Sequence, residues 1–227
     1  MNTLEKIQTR VGTKVDGIWG PNTRAAVAEE LGVKDNVKAI QGKVGVVQDG
    51  IVGDKTLTAI ARALDIYVPA EKWPTQAQVR TGKSIFGKPG DEGNLVSITP
   101  PYTLYYDGKA VKTIRVHAKV AESVQRVLTR VLQHYGEKRI HELGLDIYGG
   151  SYNYRKTTTG KAYSLHAWGI ALDFDPEHNA YDMKKPKARF SGEAYNAWWD
   201  IWESEGWHSL GREANCDWMH VQAAPLK

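Results

Sequence analysis

The sequence predicts a multidomain protein: a small all-α N-terminal domain followed by an α+β domain with a mainly antiparallel sheet. Three observations carry this. Residues 1–68 contain an ungapped internal repeat, each unit having two helical stretches around an Asp-Gly turn. Residues 69–84, broken by Pro69 and Pro74, read as a linker, with further breaks at Pro89-Gly90 and Gly93. Residues 85–227 combine one long helical pattern with short alternating stretches bounded by glycine, as when helices pack on a small sheet.

The repeat is specific. Ile7-Gln8 matches Ile40-Gln41, Val11-Gly12 matches Val44-Gly45, and Asp16-Gly17-Ile18 matches Asp49-Gly50-Ile51. Gly20, Thr23, Ala26, Ala28 and Leu31 match Gly53, Thr56, Ala59, Ala61 and Leu64, every pair at a fixed offset of 33 residues. Agreement along one offset marks a duplicated unit. Each unit reads as short helix, turn, longer helix. Asp bonds its own backbone and Gly accepts positive φ, which makes the turn. Pro21 suits the first turn of the longer helix, and Ala25, Ala26, Ala28 and Leu31 favour helix thereafter. Two such units are too small to stand separately, so they are expected to pack as one domain.

In the second domain, Val120, Val124, Val127, Leu128, Val131, Leu132 and Tyr135 recur at three- and four-residue steps, predicting a helix over Val116–Tyr135. His117 and His134 lie on it and read as structural. Leu143 to Gly150 reads as a strand entering a tight glycine turn. Ser191 is placed to cap a helix whose apolar face is Ala194, Trp198, Ile201 and Trp202, with Gly206 ending it. Trp199 falls off that face, towards solvent, whereas the tryptophan cluster as a whole reads as core. Trp218 to Gln222 alternates as a short strand.

The chemistry-bearing residues lie on these short elements. Alternation along Gly169–Asp175 sends Ile170, Leu172 and Phe174 to one face and Ala171, Asp173 and Asp175 to the other. His166 precedes the bend at Ala167-Trp168-Gly169 and can fold back towards Asp173. Two adjacent strands would then bring His166, Asp173 and His220 to one metal. Asp217, three residues before His220, can face an open coordination position. Two imidazoles, one carboxylate ligand and one spare carboxylate are the inventory of a catalytic zinc site. Asp175 is an alternative ligand or supporting carboxylate, and His178 and His208 read as surface or capping groups.

Composition sets limits. Hydrophobic residues are 41% and charged residues 25% of 227, ordinary for a globular protein. No run of about 18 apolar residues exists, so no stable membrane association is expected. Net charge is +4 with acidic and basic residues interleaved, which argues against dedicated nucleic-acid binding. The single cysteine, Cys216, excludes an internal disulfide framework and reads as a small buried thiol. Met1-Asn2-Thr3-Leu4-Glu5-Lys6 lacks the basic start and apolar core of a signal peptide, so a cytoplasmic start is expected.

Two resemblances follow. Val15-Asp16-Gly17-Ile18-Trp19-Gly20-Pro21-Asn22-Thr23 resembles the signature of peptidoglycan-binding domains of bacterial wall hydrolases. The second unit keeps Asp49-Gly50-Ile51-Val52-Gly53-Asp54-Lys55-Thr56 but loses the Trp and Pro. Trp19 is then either an exposed stacking platform for glycan or a core residue. Ser164, His166, Gly169, Ala171 and Asp173 match S-x-H-x-x-G-x-A-x-D, and Asp217-Trp218-Met219-His220 matches D/E-x-x-H. This pair resembles the zinc D-alanyl-D-alanine carboxypeptidase family, which includes phage L-alanyl-D-glutamate endopeptidases. Tyr152-Asn153-Tyr154-Arg155 resembles the segment that supplies its substrate-binding arginine.

The resemblance implies zinc ligation by His166, Asp173 and His220, base function for Asp217, and substrate or transition-state contacts from Arg155 and Ser164. Asp at position 217 matches the endopeptidase branch, implying hydrolysis between L-Ala and D-Glu of the stem peptide. The implied protein is a monomeric phage endolysin: a zinc peptidase held in the host bacterial cytoplasm until a holin releases it to the peptidoglycan of the cell wall. The alternatives are a D-Ala-D-Ala carboxypeptidase, an exported wall-remodelling enzyme, and a non-enzymatic zinc-stabilised wall-binding module. The hedgehog signalling domain also resembles this peptidase fold.

Overall fold

The structure, a computed structural model, describes residues 2–64, 66 and 73–227. The chain splits into two compact units, Met1–Pro69 and Ala70–Lys227. Residues 69–72 of the expected linker lie outside the described residues.

The first unit contains α1 (Thr3–Arg10), α2 (Pro21–Glu30), α3 (Val37–Lys43) and α4 (Asp54–Ala63). Asn2 and Glu5 form a reciprocal capping box at α1, and Asn36 caps α3. Gly20 precedes Pro21 at the start of α2, as the sequence predicts. Ile7, Val27, Ile40 and Ile60 are fully buried in the shared core. Trp19 is partly buried against it, which favours the core reading over a free platform.

Gln8 explains why the turn residues repeat. Its Nε2 donates to Asp16 Oδ1 (2.8 Å), Ile18 O (3.0 Å) and Thr23 Oγ1 (3.3 Å), while its Oε1 accepts from the Gly17 amide (2.9 Å). Gln41 makes the same bonds to Asp49, Ile51, Thr56 and Gly50. One buried amide therefore clamps each Asp-Gly turn, and bonds to the ionised form hold both aspartate carboxyls below their usual range: Gln8 and then the Ile18 amide for Asp16, the Ile51 amide and then Gln41 for Asp49.

The second unit begins within residues 69–84, the stretch that reads as a linker in the sequence. α5 (Gln76–Arg80) is capped reciprocally by Thr75 and Gln78, buries Val79, and its Gln76 amide donates to Pro225 O. Proline spacing suggested a linker through residue 84; the Thr-x-x-Gln cap was the missed signal. β1 (Leu95–Ile98), β2 (Leu104–Tyr106), β3 (Lys109–Val111) and β4 (Ile114–His117) follow. β1 pairs with β4, and β2 with β3, both antiparallel. Asp107 and Gly108 both take positive φ between β2 and β3, the requirement of a two-residue type I′ hairpin.

The predicted helix over Val116–Tyr135 is corrected at both ends. Val116 pairs with Val96 in the β-ladder, and His117 caps the helix by accepting from the Lys119 amide. α6 (Ala118–Leu143) runs eight residues beyond Tyr135, through a non-helical Gly136, to a left-handed Gly144. The strand expected from Leu143 is only β5 (Tyr148–Gly150). β6 (Ala171–Phe174) follows. Ser191 caps no α-helix: it ends a 3₁₀ turn, Arg189–Ser191, before a second one and then α7 (Asn196–Ser204). Gly206 takes φ 84° just beyond. β7 (His208–Ser209), α8 (Leu210–Ala214) and β8 (His220–Gln222) complete the chain; Trp218 and Met219 precede the strand rather than joining it.

The sheet order is β5-β6-β8-β7, antiparallel throughout. An aromatic layer covers its core face. Phe174 of β6 meets Trp198 edge-on at 5.0 Å, and Trp202 meets Trp207 at 5.0 Å. Trp199 is also buried, contrary to expectation: its Nε1 donates to Phe190 O and its ring neighbours Trp218. Rings of this size each remove roughly 150–250 Å² from water, so the layer anchors β6 and β8. No helix among the described residues is long and apolar enough to cross a membrane.

Candidate metal centre

Local backbone geometry sets the first two side chains. Ser164 caps the 3₁₀ turn Leu165–Trp168, and Gly169 ends it at φ 67°. A side chain on Gly169 would strike Leu95 Cδ2 at 2.7 Å and the His117 amide at 3.0 Å. Glycine is thus required both for conformation and for contact. The reversal returns His166 to β6, where Asp173 stands directly opposite His220 of β8. Gly149 of β5 permits the approach from the other side: a Cβ there would lie 2.9 Å from Asp173 Cβ.

His166, Asp173 and His220 offer ligand atoms that all lie within 4.8 Å of one another. His166 Nε2 is 3.1 Å from Asp173 Oδ2, and His220 Nδ1 is 2.8 Å from Asp173 Oδ1. The opposite ring nitrogens face fixed acceptors: His166 Nδ1 lies 2.9 Å from Ser151 O, and His220 Nε2 lies 3.2 Å from Gln222 Oε1. Each acceptor calls for an N–H, so each inner nitrogen presents a lone pair to a carboxylate oxygen. Lone pair against lone pair is repulsive unless a cation lies between them, either a metal or a proton on each ring. His166 Nε2 has no hydrogen-bond partner although buried. This donor set therefore fits a divalent metal ion.

Electrostatics agree with the geometry. Burial would raise the Asp173 carboxyl, but the two imidazoles outweigh it and hold it well below the usual carboxylate range. Burial would lower His220, but Asp173 outweighs it and raises the ring above its ordinary value. Asp217 behaves differently. Burial pushes its carboxyl up, Asp173 adds to the rise, and His220, His166 and Arg155 oppose it. Asp217 is 8% exposed, its Oδ1 has no hydrogen-bond partner, and its backbone is left-handed at φ 52°. A strained, buried, unpaired carboxylate beside a cation site is a candidate base.

A cleft of about 370 Å³ reaches the site and is lined by His166 and Asp173 together with Arg155, Arg115, Tyr148 and Tyr152. Ser164, Asp217 and His220 are not on its wall. The Ser164 hydroxyl instead accepts from the His166 amide at 3.4 Å, which positions the ligand-bearing turn. Asp175 turns away from the metal group: it is fully buried and bonded to His178 (2.7 Å), Arg189 (3.2 Å) and Asn179. His208 pairs with Glu213. Cys216 is half-buried rather than buried, and burial followed by Asp217 pushes its thiol up, away from thiolate.

Ser151, Gln222 and Gly149 went unrecognised in the sequence. For Gln222 the signal was available, since residues two apart on a strand share a face and His220 was already singled out. The chain matches no known family model, curated protein or solved structure. The chemistry of the site therefore rests on its own residues.

Proposed function

We propose that the second unit is a zinc-dependent peptidoglycan peptidase of the endolysin type, hydrolysing the L-Ala–D-Glu amide of the stem peptide. The observation that carries this reading is the buried, unpaired Asp217 beside a His166–Asp173–His220 group at the end of an arginine-lined cleft. His166, Asp173 and His220 would hold the zinc, which when bound would supply Lewis acidity towards a carbonyl and a water.

The chain's own groups do the rest. Asp217, its carboxyl raised above the usual value by burial, accepts a proton from the attacking water and delivers it to the leaving amine. Arg155 on the cleft wall presents a planar fork to a substrate carboxylate or to the developing oxyanion. The open cleft, with Arg115 and Arg155 on its wall, would hold an extended, acidic peptide. The first unit, through the resemblance of its repeat, would tether the enzyme to the wall. Release from a host cytoplasm through a holin-dependent step belongs to the same reading.

Mass spectrometry of digested muropeptides tests it. New N-terminal D-Glu supports the proposed bond. Loss of terminal D-Ala would reassign the protein to carboxypeptidase activity. Wall binding with zinc present and no new termini would reduce it to a binding module.

A further inference from the structure

We propose that Gln222 is a positioning residue that fixes which nitrogen of His220 meets the metal; this rests on the metal-centre reading above. Gln222 is 2% exposed. Its amide has one donating and one accepting end, and the structure gives each a distinct partner. Nε2 donates to the Ala224 carbonyl at 2.6 Å. A carbonyl only accepts, so the amide cannot reverse without setting oxygen against oxygen. Oε1 is thereby left facing His220 Nε2 at 3.2 Å.

That oxygen also only accepts, so His220 Nε2 must carry the hydrogen. In the metal-binding neutral ring the lone pair then falls on Nδ1, the atom 2.8 Å from Asp173 Oδ1. The backbone enforces the arrangement. His220 and Gln222 share one face of β8, where Leu172 pairs with Val221 and Asp173 with His220. Ala223 donates its amide to Ile170 O, which places Ala224 just past the strand end. The chain Ala224 O, Gln222, His220 thus runs from a backbone anchor to a ligand atom.

His166 is treated in the opposite sense. Its Nδ1 faces the Ser151 carbonyl, leaving Nε2 as the ligand atom. The two imidazoles therefore present different nitrogens. A backbone carbonyl sets one, and only Gln222, a side chain, can be substituted to disturb the other.

The test uses the full chain, Gln222→Leu, Gln222→Glu and zinc itself. Zinc affinity is measured by chelator competition, and ring-nitrogen shifts of the zinc-loaded, ¹⁵N-histidine-labelled protein identify the ligand atom. Expected are Nδ1 ligation and a protonated Nε2 at His220 in the wild type. Q222L should bind zinc about 10–100-fold more weakly, the range for lost outer-shell partners. Q222E keeps an acceptor facing Nε2 but gives up the bond to Ala224 O, so it should bind zinc more weakly than the wild type yet retain Nδ1 ligation, and it decides the matter if Q222L fails to fold. Nε2 ligation in the wild type or in Q222E overturns the proposal, as does a folded Q222L with undiminished affinity. Failure of the wild type to bind zinc would instead overturn the metal centre itself, and this inference with it.

Discussion

Asp173 and His220 face each other across the β6–β8 ladder, with Oδ1 and Nδ1 2.8 Å apart. Their spacing is set by strand pairing rather than by loop conformation, so the site is built before any ligand arrives. Rigid elements hold ligand geometry better than loops do. Asp173→Ala and His220→Ala should each weaken zinc binding by more than the roughly 10–100-fold of an outer-shell loss. Isothermal titration with zinc checks this; affinity within tenfold of wild type in both variants would exclude these residues as ligands.

If Asp217 is the proposed base, its substitution separates metal binding from chemistry. Asp217→Asn keeps size and removes the basic oxygen, so zinc content should stay at the wild-type level. Hydrolysis of purified sacculi should fall by about 10²–10⁴-fold, the usual contribution of a positioned acid–base group. Wild-type turnover in the zinc-loaded variant would remove Asp217 from the mechanism.

The raised His220 makes zinc stabilisation depend on pH. In metal-free protein a raised imidazole contributes stability below its unfolded value of 6.5, and that contribution is lost as pH rises through the folded value. Zinc needs the unprotonated ring, so its affinity increases across the same interval. The melting temperature of metal-free protein should therefore fall there while the shift on adding zinc grows. Zinc at 100 times its Kd corresponds to about 2.7 kcal/mol. The burial-lowered His117 is common to both forms and cancels in their difference. A zinc-induced shift that stays constant from pH 6 to 8 contradicts this account.

The grouping of His166, Asp173 and His220 was legible in the sequence because each sits in a short motif whose spacing and bend are local. His166 needs only the Gly169 reversal, and His220 only strand alternation. The repeat was legible for the same reason, since Gln8 and Asp16 lie within one unit. What escaped notice depended on distant partners. Trp199 reads as exposed because α7 has one obvious apolar stripe, yet Phe190 and Trp218 cover its other side. The hairpin at Asp107-Gly108 escaped because β2 and β3 have three residues each, too few to show alternation. Val116 satisfies a helical period and a strand equally, and pairing with Val96 decided it.

A buried ion pair ties α6 to the end of α7. Arg126 NH2 lies 2.8 Å from Glu205 Oε2, with side chains 4% and 0% exposed, and Ser123 and Trp207 extend the network. Removing one partner leaves a buried charge, which costs roughly 3–5 kcal/mol. Arg126→Met should lower the unfolding free energy of the second unit by that amount, read from denaturant unfolding. Replacing both, as Arg126→Met with Glu205→Leu, should recover much of the loss. Additive losses in the double variant would show that the two charges are not compensating each other.

The duplicated glutamines give the sharpest test of the first unit. Gln8 and Gln41 each bind one Asp-Gly turn through bonds that match to within about 0.1 Å. Gln8→Leu leaves the partly buried Gly17 amide and the buried Thr23 hydroxyl without that partner, at roughly 1–3 kcal/mol for the unsatisfied groups. Gln41→Leu should cost a similar amount, since its partners are chemically the same. Both helices of each repeat contribute to one core, so either substitution should lower the same unfolding transition rather than split it. Denaturant-dependent hydrogen exchange of backbone amides within residues 2–64, in the wild type and the two variants, reads this directly. Two separate transitions, or an effect from only one glutamine, would mean that the repeats are not structurally equivalent halves of one domain.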